Sequence, residues 1–171
     1  TVIGLEGGEF LLHPEADMIM SYLDENHPKY DLLSNCVNPE KTISAIENHK
    51  PMRLFVSLDG KPETHKFMRG NDGYDSVIKV IKKCNTIIPV SVMFTLTPYN
   101  SFNDLSHVIS VCKDLKCDLR VGIYNNMPFF DTTDKAHEIK SETDKFEKLL
   151  DIESDKYISM IPPEIKDFSE N

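Results

Sequence analysis

The sequence predicts an α/β fold, because short apolar runs alternate with helical patterns along most of the chain. Five runs rich in β-branched and other apolar residues are each bounded by glycine, proline or asparagine, which is typical of strands. They cover residues 2–5, 30–33, 53–58, 89–96 and 118–124. Runs as apolar as these are typical of parallel strands that are buried between layers or inside a barrel.

Helical patterns separate the strand-like runs. Apolar residues recur there every three or four positions, as on the buried face of an amphipathic helix. In chain order, they are Met18, Ile19, Tyr22 and Leu23; Ile43 and Ile46; Tyr74, Val77, Ile78 and Ile81; and Leu105, Val108, Ile109 and Cys112. Pro14 and Pro39 stand near first-turn positions, and Ser101 or Asn103 is suited to cap the last of these helices.

The length of the chain predicts one main domain. With 171 residues, 40% of them apolar, it falls within the range of about 100 to 200 residues that is usual for a domain. We expect the core within residues 1–130 and a charged C-terminal helix and tail in 131–171. Within that tail, an apolar stripe predicts a surface helix over 134–150, and the acidic segment 151–171 is expected to form an outer helix or a tail. The chain begins with Thr1 at an apolar strand, so we expect it to be a piece of a longer protein.

The charge of the chain argues against a nucleic-acid partner. Nineteen basic residues against 28 acidic ones give a net charge of -9, which leaves no obvious source of attraction to phosphates. No apolar stretch approaches the roughly 20 residues that cross a membrane, so no membrane partner is expected. The four cysteines, Cys36, Cys84, Cys112 and Cys117, are scattered, which favours a reducing, cytoplasmic location over a disulfide framework.

Polar residues follow every predicted strand, and ligands of parallel α/β folds bind at the carboxyl ends of the strands. The first strand ends on Gly7, Gly8 and Glu9. Two glycines let the backbone approach a ligand closely, and the acid after them can receive an ammonium group. A tight turn without a ligand is the common alternative for Gly-Gly at this place.

Other groupings of reactive residues are interpreted as structural. The pairs His13 with Glu15 and Glu63 with His65 leave a metal without a third ligand, and no metal ligand or catalytic residue is assigned. Ser57 and Asp59 lack the Gly-x-Ser-x-Gly turn that exposes a nucleophilic serine. Three further histidines are expected to be solvated or to cap helices: His27, His49 and His107.

The strand-end motifs, taken in order, resemble those of the radical S-adenosylmethionine enzymes. Gly-Gly-Glu stands at 7–9, and Ser-Asn-Cys stands at 34–36, where the family usually has Thr-Asn-Gly. Residues 57–70 contain Ser-Leu-Asp-Gly, Glu-x-His and Arg-Gly at the spacing of the peptide-modifying branch, which has a cysteine-rich C-terminal SPASM extension. The run 95–105 is similar to the family's next strand and helix start, so the resemblance covers residues 1–125.

The resemblance implies a partial (βα)6 barrel, similar to a TIM barrel, with its cofactor across the strand ends. It also implies two cofactors: S-adenosylmethionine, and a 4Fe-4S cluster on a Cys-x3-Cys-x2-Cys loop after the family's first strand. None of the four cysteines has that spacing. The five strands would therefore correspond to strands two to six of the family, with the cluster loop lying before Thr1.

The resemblance also implies roles for the strand-end residues. Glu9, with the backbone of Gly7 and Gly8, would hold the methionyl ammonium, although Phe10 follows Glu9 where the family often has proline. Ser34 would hydrogen-bond the ribose or the methionyl carboxylate.

Ser57, like Ser34, would hydrogen-bond the ribose or the methionyl carboxylate. Asn35 and Asp59 would either contact the cofactor or fix their own turns. Arg69 would neutralise the methionyl carboxylate or form an ion pair within its own loop, with Glu63 or Asp72.

The fifth strand and the mouth of the barrel complete the implied site. The backbone of 119–124 would run beneath the adenine, with Val121 and Ile123 in the core. Residues that would face the mouth are candidates for substrate contact or for structural roles: Thr95, Thr97, Asn100, Tyr124 and Asn126.

The implied reaction is reductive cleavage of S-adenosylmethionine to a 5'-deoxyadenosyl radical, which abstracts hydrogen from a substrate such as a peptide. An electron donor such as a flavodoxin or a ferredoxin would be a partner. One alternative is the branch that makes a molybdenum-cofactor precursor, although Gly60 and the pattern of Glu63, His65 and Arg69 argue against it. Another is a non-catalytic α/β module that binds a metabolite or a protein.

Overall fold

A computed structural model of the chain describes residues 1–124 and 158–160. Six parallel strands form one sheet in the order β1-β2-β3-β4-β5-β6. The strands are β1 (Ile3–Leu5), β2 (Tyr30–Ser34), β3 (Arg53–Ser57), β4 (Val90–Leu96), β5 (Asp118–Ile123) and β6 (Ile158–Met160). The α/β class is confirmed, and the five predicted strands agree with β1 to β5 to within one residue at each end.

Five α-helices connect the strands that the chain forms up to residue 124. They are α1 (Ala16–Asn26), α2 (Pro39–Asn48), α3 (Pro62–Arg69), α4 (Tyr74–Cys84) and α5 (Phe102–Leu115). Parallel strands in sequential order need crossover connections, which are nearly always right-handed and so place the helices on one face of the sheet. The strand residues on that face are fully buried, among them Leu32, Leu54, Val56, Phe94 and Leu119.

The predicted start signals are found at two helices. Pro39 is the first residue of α2, and the side chain of Asn38 accepts a hydrogen bond from the backbone of Lys41. Ser101 caps α5 in a capping box with Asp104. Pro14 instead precedes α1, after a 3-10 turn at Phe10–Leu12.

Helix α3 was not expected, because residues 57–70 were interpreted as a loop. The signals of a helix are nevertheless present: proline at the first position, Glu63 in the first turn, and Lys66 and Arg69 in the last turn. Gly70 ends the helix in the left-handed conformation, with φ of 69°. Arg69 therefore projects from a helix rather than from a loop.

Strand β6 was not expected either, since 151–171 was interpreted as a helix or a tail. Ile158–Met160 pairs in parallel with β5, where Arg120 lies opposite Ser159. The helix predicted over 134–150, the rest of the predicted tail and Asn126 lie outside the described residues.

The second face of the sheet carries no helix among the described elements, and we call it the open face. Apart from the buried Ser91, the strand residues named below on this face are half-buried or exposed and alternate with the buried ones. They include Leu33 on β2, Phe55 and Ser57 on β3, Met93 and Thr95 on β4, and Arg120 on β5. No helix within the described residues is both long and apolar enough to span a membrane.

Candidate functional site

The loop after β1 positions Glu9 at the carboxyl end of the sheet. The Glu9 carboxylate points toward the end of β2, where it accepts hydrogen bonds from the Ser34 hydroxyl at 3.1 Å and from the backbone N–H of Asn35 at 2.7 Å. Gly7 and Gly8 have φ of 86° and 48°, and a Cβ on either would meet no atom within 4 Å. The loop thus combines a left-handed backbone, open space above it and a fixed carboxylate.

Ser34 acts on Glu9 from a fully buried position. Its Oγ accepts the backbone N–H of Cys36 at 3.0 Å and lies 3.2 Å from Oγ1 of Thr42. A hydroxyl has one proton to donate, and a proton given to Glu9 is not available to a ligand. In this arrangement, Ser34 orients the Glu9 carboxylate.

Cys36 stands where the resembling family usually has glycine, and its backbone explains that preference. Its φ is 58°, in the left-handed region. Its side chain is fully buried, and burial raises the pKa of the Cys36 thiol to about 12. The turn therefore keeps a conformation suited to glycine while the thiol fills a core position.

Two predicted ligand residues, Asn35 and Ser57, differ in how they are engaged. The Asn35 side-chain oxygen accepts the backbone N–H of Val37 at 2.9 Å, which fixes the turn after β2. Ser57 ends β3 on the open face and is half-buried. Within the described residues, no side-chain partner of Ser57 is found, so its hydroxyl is available to a ligand.

Asp59 is the centre of a buried ionic cluster. Its carboxylate receives two hydrogen bonds from Arg69, Nε to Oδ2 at 2.5 Å and Nη2 to Oδ1 at 3.0 Å. Nδ1 of His65 lies 3.2 Å from Oδ2 and 3.3 Å from the backbone N of Asp59. One nitrogen cannot donate to the first and accept from the second, and we place the proton on Nδ1 because the charged oxygen is the stronger partner.

These contacts keep Asp59 charged, and they show that Arg69 has a different ion-pair partner from the one expected within its loop. Burial alone would raise the pKa of Asp59, but hydrogen bonds from His65 and Arg69 and the charge of Arg69 outweigh it, so its pKa lies below the usual value. Arg69 pairs with Asp59, neither with Glu63 nor with Asp72. Asp72 instead pairs with Lys66 at 2.7 Å.

Asp104, at the start of α5, fixes the turn that follows Asp59. Its Oδ1 accepts the backbone N–H of Lys61 at 3.1 Å, and its Oδ2 accepts from the backbone and the hydroxyl of Ser101. Burial alone would raise the pKa of Asp104, and its hydrogen bonds lower it below the usual value. Gly60 packs against this carboxylate so closely that a Cβ on Gly60 would lie 2.5 Å from Oδ1.

Asn100 joins the ends of β3 and β4. Its side-chain nitrogen donates to the carbonyl of Asp59 at 3.2 Å and to that of Thr95 at 2.9 Å, and its oxygen accepts the N–H of Thr97 at 2.8 Å. Asn100 is buried, so these bonds give it a structural role. Thr95 and Tyr124 lie half-buried at the ends of β4 and β5.

The cysteines of the chain do not form a cluster-binding loop. Cys36 follows β2, Cys84 ends α4, Cys112 lies within α5 and Cys117 precedes β5, and all four are buried. Burial raises the pKa of the Cys84 thiol to about 11. Within the described residues, no group of three His, Cys, Asp or Glu side chains could hold a metal ion.

One histidine differs from its sequence interpretation. His49 is 6% exposed, and its two ring nitrogens lie 2.9 Å from Asp17 Oδ1 and 2.7 Å from Asp24 Oδ2. His49 is thus a buried residue between two carboxylates rather than a solvated one. It lies at the end of α2, where the chain leads into β3, at the opposite end of the strands from Glu9.

Sequence reasoning did not assign roles to Thr42, Asp104 and His65 in this site. Asp104 had a recognisable signal, since Ser101 and Asp104 have the spacing of a capping box. His65 belongs to the Glu-x-His motif, which gave no role for it. Thr42 had no signal, because its contact with Ser34 depends on how α2 packs on the sheet.

Comparison with solved structures shows the fold. SuiB of Streptococcus suis has a TM-score of 0.73 and 16% identity over 94% of this chain. SuiB bound to S-adenosylmethionine has a TM-score of 0.73 and 15% identity over 94% of this chain. SuiB bound to the precursor peptide SuiA has a TM-score of 0.72 and 15% identity over 94% of this chain. Coproporphyrinogen III oxidase (HemN) from Escherichia coli, a radical SAM enzyme, has a TM-score of 0.54 and 12% identity over 78% of this chain.

The likeness confirms, at the level of the fold, the predicted partial barrel. The chain spans 39% of SuiB in two of the compared structures, 38% in the third, and 36% of HemN. No protein-family model and no curated protein matches the chain.

Proposed function

We propose that this chain is part of a radical S-adenosylmethionine enzyme and that it holds the methionyl end of that cofactor. The observation that carries the proposal is the Glu9 carboxylate, which is fixed by Ser34 and by the backbone of Asn35 beside two glycines with open space above them. An ammonium group has three donors and no acceptor. A carboxylate that is already oriented receives it without the cost of ordering a free side chain.

The residues fit S-adenosylmethionine in a second respect. The Ser57 hydroxyl on the neighbouring strand end can bond the ribose or the methionyl carboxylate, because a hydroxyl both donates and accepts. Asp59 and Arg69 support that strand end through their ion pair. The Arg69 side chain is 34% exposed, so an N–H group that Asp59 does not use can also donate to the methionyl carboxylate.

The chemistry that bound S-adenosylmethionine supplies, when a 4Fe-4S cluster reduces it, is a 5'-deoxyadenosyl radical for hydrogen abstraction. The four cysteines of this chain do not fit the cluster, so it requires ligands from elsewhere in a longer protein. The share of this chain is to bind and orient the cofactor and, with the open face, to shield the substrate from water. The substrate we propose is a peptide, supported by the solved complex of SuiB with its precursor peptide.

Binding of S-adenosylmethionine to the purified chain tests the role of Glu9. In isothermal titration, Glu9→Ala and Glu9→Gln are expected to weaken binding by about 10- to 100-fold, as loss of one charge-assisted contact does. Glu6→Ala is the matched control, since Glu6 is an exposed acid on the same loop. Equal affinity of Glu9→Ala and the wild-type chain would contradict the assigned site.

The reaction is tested in the longer protein. Anaerobic reconstitution with iron and sulfide is expected to give 5'-deoxyadenosine only when a reductant is added, and Glu9→Ala is expected to lower its yield. A longer protein that binds S-adenosylmethionine but forms no 5'-deoxyadenosine would support the non-catalytic module instead.

A further inference from the structure

Two of the three arginines of this chain form ion pairs with carboxylates. Arg69 is bound to Asp59, and Arg53 forms an ion pair with Asp118. Arg120 has no carboxylate partner among the described residues.

The Arg120 side chain lies over an aromatic ring of the open face. Arg120 is exposed on the open face of β5, and its guanidinium carbon lies 4.4 Å from the centre of the Phe55 ring. Phe55 belongs to β3, so the Arg120 side chain reaches across β4. Phe55 and Ser57 are neighbours on the same face of β3, about 7 Å apart. The guanidinium therefore lies over Phe55, on the same face of the sheet as Ser57.

The nearest acid on the same face of β5 is already neutralised. Asp118 lies two residues before Arg120, and its carboxylate is bound by Arg53, which also donates to the Ser91 hydroxyl at 2.5 Å. The positive charge of Arg120 is thus not cancelled by its own strand. It lies over Phe55, which is in register with Ser91 and, through Ser91, with Asp118.

We propose that Arg120, stacked on Phe55, is a carboxylate-binding subsite on the open face. Stacking on a ring uses the face of the guanidinium and leaves the N–H groups at its edge free. Two of these N–H groups match the two oxygens of a carboxylate. The carboxylate can come from an acidic side chain of a peptide substrate or from the methionyl group of the cofactor, and its assignment to either rests on the proposed function.

The three arginines provide a direct readout. In the nitrogen-15-labelled chain, each arginine gives its own Nε–H resonance in a nuclear magnetic resonance spectrum, and substitution to lysine assigns each one. Titration with acetyl-Gly-Glu-Gly-amide is expected to shift the Arg120 resonance, while the same peptide with glutamine in place of glutamate leaves it unchanged. The resonance of Arg53, which is paired with Asp118 within the protein, serves as the internal control.

A second pair of probes identifies the source of the carboxylate. S-adenosylmethionine is compared with its decarboxylated analogue, and a shift of Arg120 with the first alone assigns the subsite to the cofactor. A shift with the glutamate peptide alone assigns it to a substrate. Either result supports the subsite. No shift of Arg120 with any carboxylate, or equal shifts with the glutamine peptide and the decarboxylated analogue, overturns it.

Substitution separates the subsite from the proposed function. Arg120→Gln is expected to weaken binding of the carboxylate probe by about tenfold or more, and Arg120→Lys by less, because lysine keeps the charge but loses the planar pair of donors. Phe55→Leu keeps the bulk but removes the ring, and we expect it to weaken the Arg120 response as well. If S-adenosylmethionine does not bind at all while the glutamate peptide shifts Arg120, the proposed function fails and the subsite stands.

Discussion

At the scale of single residues, two buried aspartates hold the loop after β3 in place. Asp59 accepts from Arg69 and His65, and Asp104 accepts from the backbone of Lys61 and from Ser101. Both have pKa values below the usual one, so both stay charged at neutral pH. Removing a charge from water costs free energy, and a buried carboxylate is stable only while its hydrogen-bond donors are in position. Neighbouring residues must therefore leave the geometry of this loop unchanged.

Gly60 is the most tightly constrained residue of this loop. Its φ is 144°, a conformation that side chains with a Cβ rarely adopt, and a Cβ there would lie 2.5 Å from Asp104 Oδ1. We expect Gly60→Ala to lower the free energy of unfolding by about 2 to 4 kcal/mol, from backbone strain and from displacement of a buried acceptor. Urea unfolding of the purified chain measures the change.

Gly70→Ala is the matched control for that substitution. Gly70 is also left-handed, with φ of 69°, but a Cβ on it would meet no atom within 4 Å. Only the conformational cost of about 1 kcal/mol is expected. Equal losses for the two variants would show that the contact of Gly60 with Asp104 is not tight in solution.

The residue scale is also where sequence reasoning reached its limit. The strand-end position of Glu9 follows from the chain order, and its role as a cofactor ligand stays a prediction. The predicted ion-pair partner of Arg69 within its loop was wrong, because Glu63 and Arg69 lie on helix α3 and Asp72 lies beyond its end. On α3, Arg69 faces back toward the end of β3 and meets Asp59.

At the scale of elements, His49 joins α2 to α1. Burial alone would lower the pKa of His49, but hydrogen bonds and charges from Asp17 and Asp24 outweigh it and raise the pKa above 6.5. Asp24 is also bound by the Tyr30 hydroxyl at 2.6 Å. Both ring nitrogens face a carboxylate oxygen, and only the protonated ring donates to both.

This arrangement predicts how stability depends on pH. A raised pKa in the folded state contributes stability that is fully present below 6.5, the value in the unfolded chain, and is lost as the pH rises through the folded value. The free energy by which the wild-type chain exceeds His49→Gln should therefore be largest in acid and shrink toward alkaline pH. Chemical unfolding at a series of pH values measures that difference.

Two further variants locate the effect. Asp24→Asn should reduce the pH dependence more than Asp17→Asn, because the Asp24 side chain is 33% exposed and that of Asp17 is 84% exposed. His107→Gln should leave it unchanged, since His107 bonds the Tyr74 hydroxyl rather than a carboxylate. A wild-type pH profile in His49→Gln would contradict the assignment.

The elements that the sequence predicted well are those with strong, local patterns. The five apolar runs could be identified because strands covered by helices on one face and lining a barrel on the other are apolar along most of their length. Helix α3 has only one fully buried side chain, His65, so it shows no apolar stripe. Strand β6 has three residues, and so short a segment is a strand only because β5 lies beside it.

At the scale of the whole molecule, the order of the strands leaves β1 at one edge of the sheet. Among the described elements, β1 pairs only with β2, and its second row of backbone N–H and C=O groups faces outward. Val2 and Ile3 beside this edge are 48% and 36% exposed. An edge of this kind is a template for pairing with a strand of another chain.

The 171-residue chain, studied alone, should therefore associate through β1. A positive charge on an edge strand opposes such pairing, so Ile3→Lys is expected to reduce the concentration-dependent rise in mass that sedimentation equilibrium records for the wild-type chain. Met18→Lys is the matched control, because Met18 is 59% exposed on α1, away from the edge, and its substitution changes the net charge equally. If both variants reduce association alike, charge repulsion between chains rather than the β1 edge governs it. A wild-type chain that stays monomeric at all concentrations would show that this edge is covered in solution.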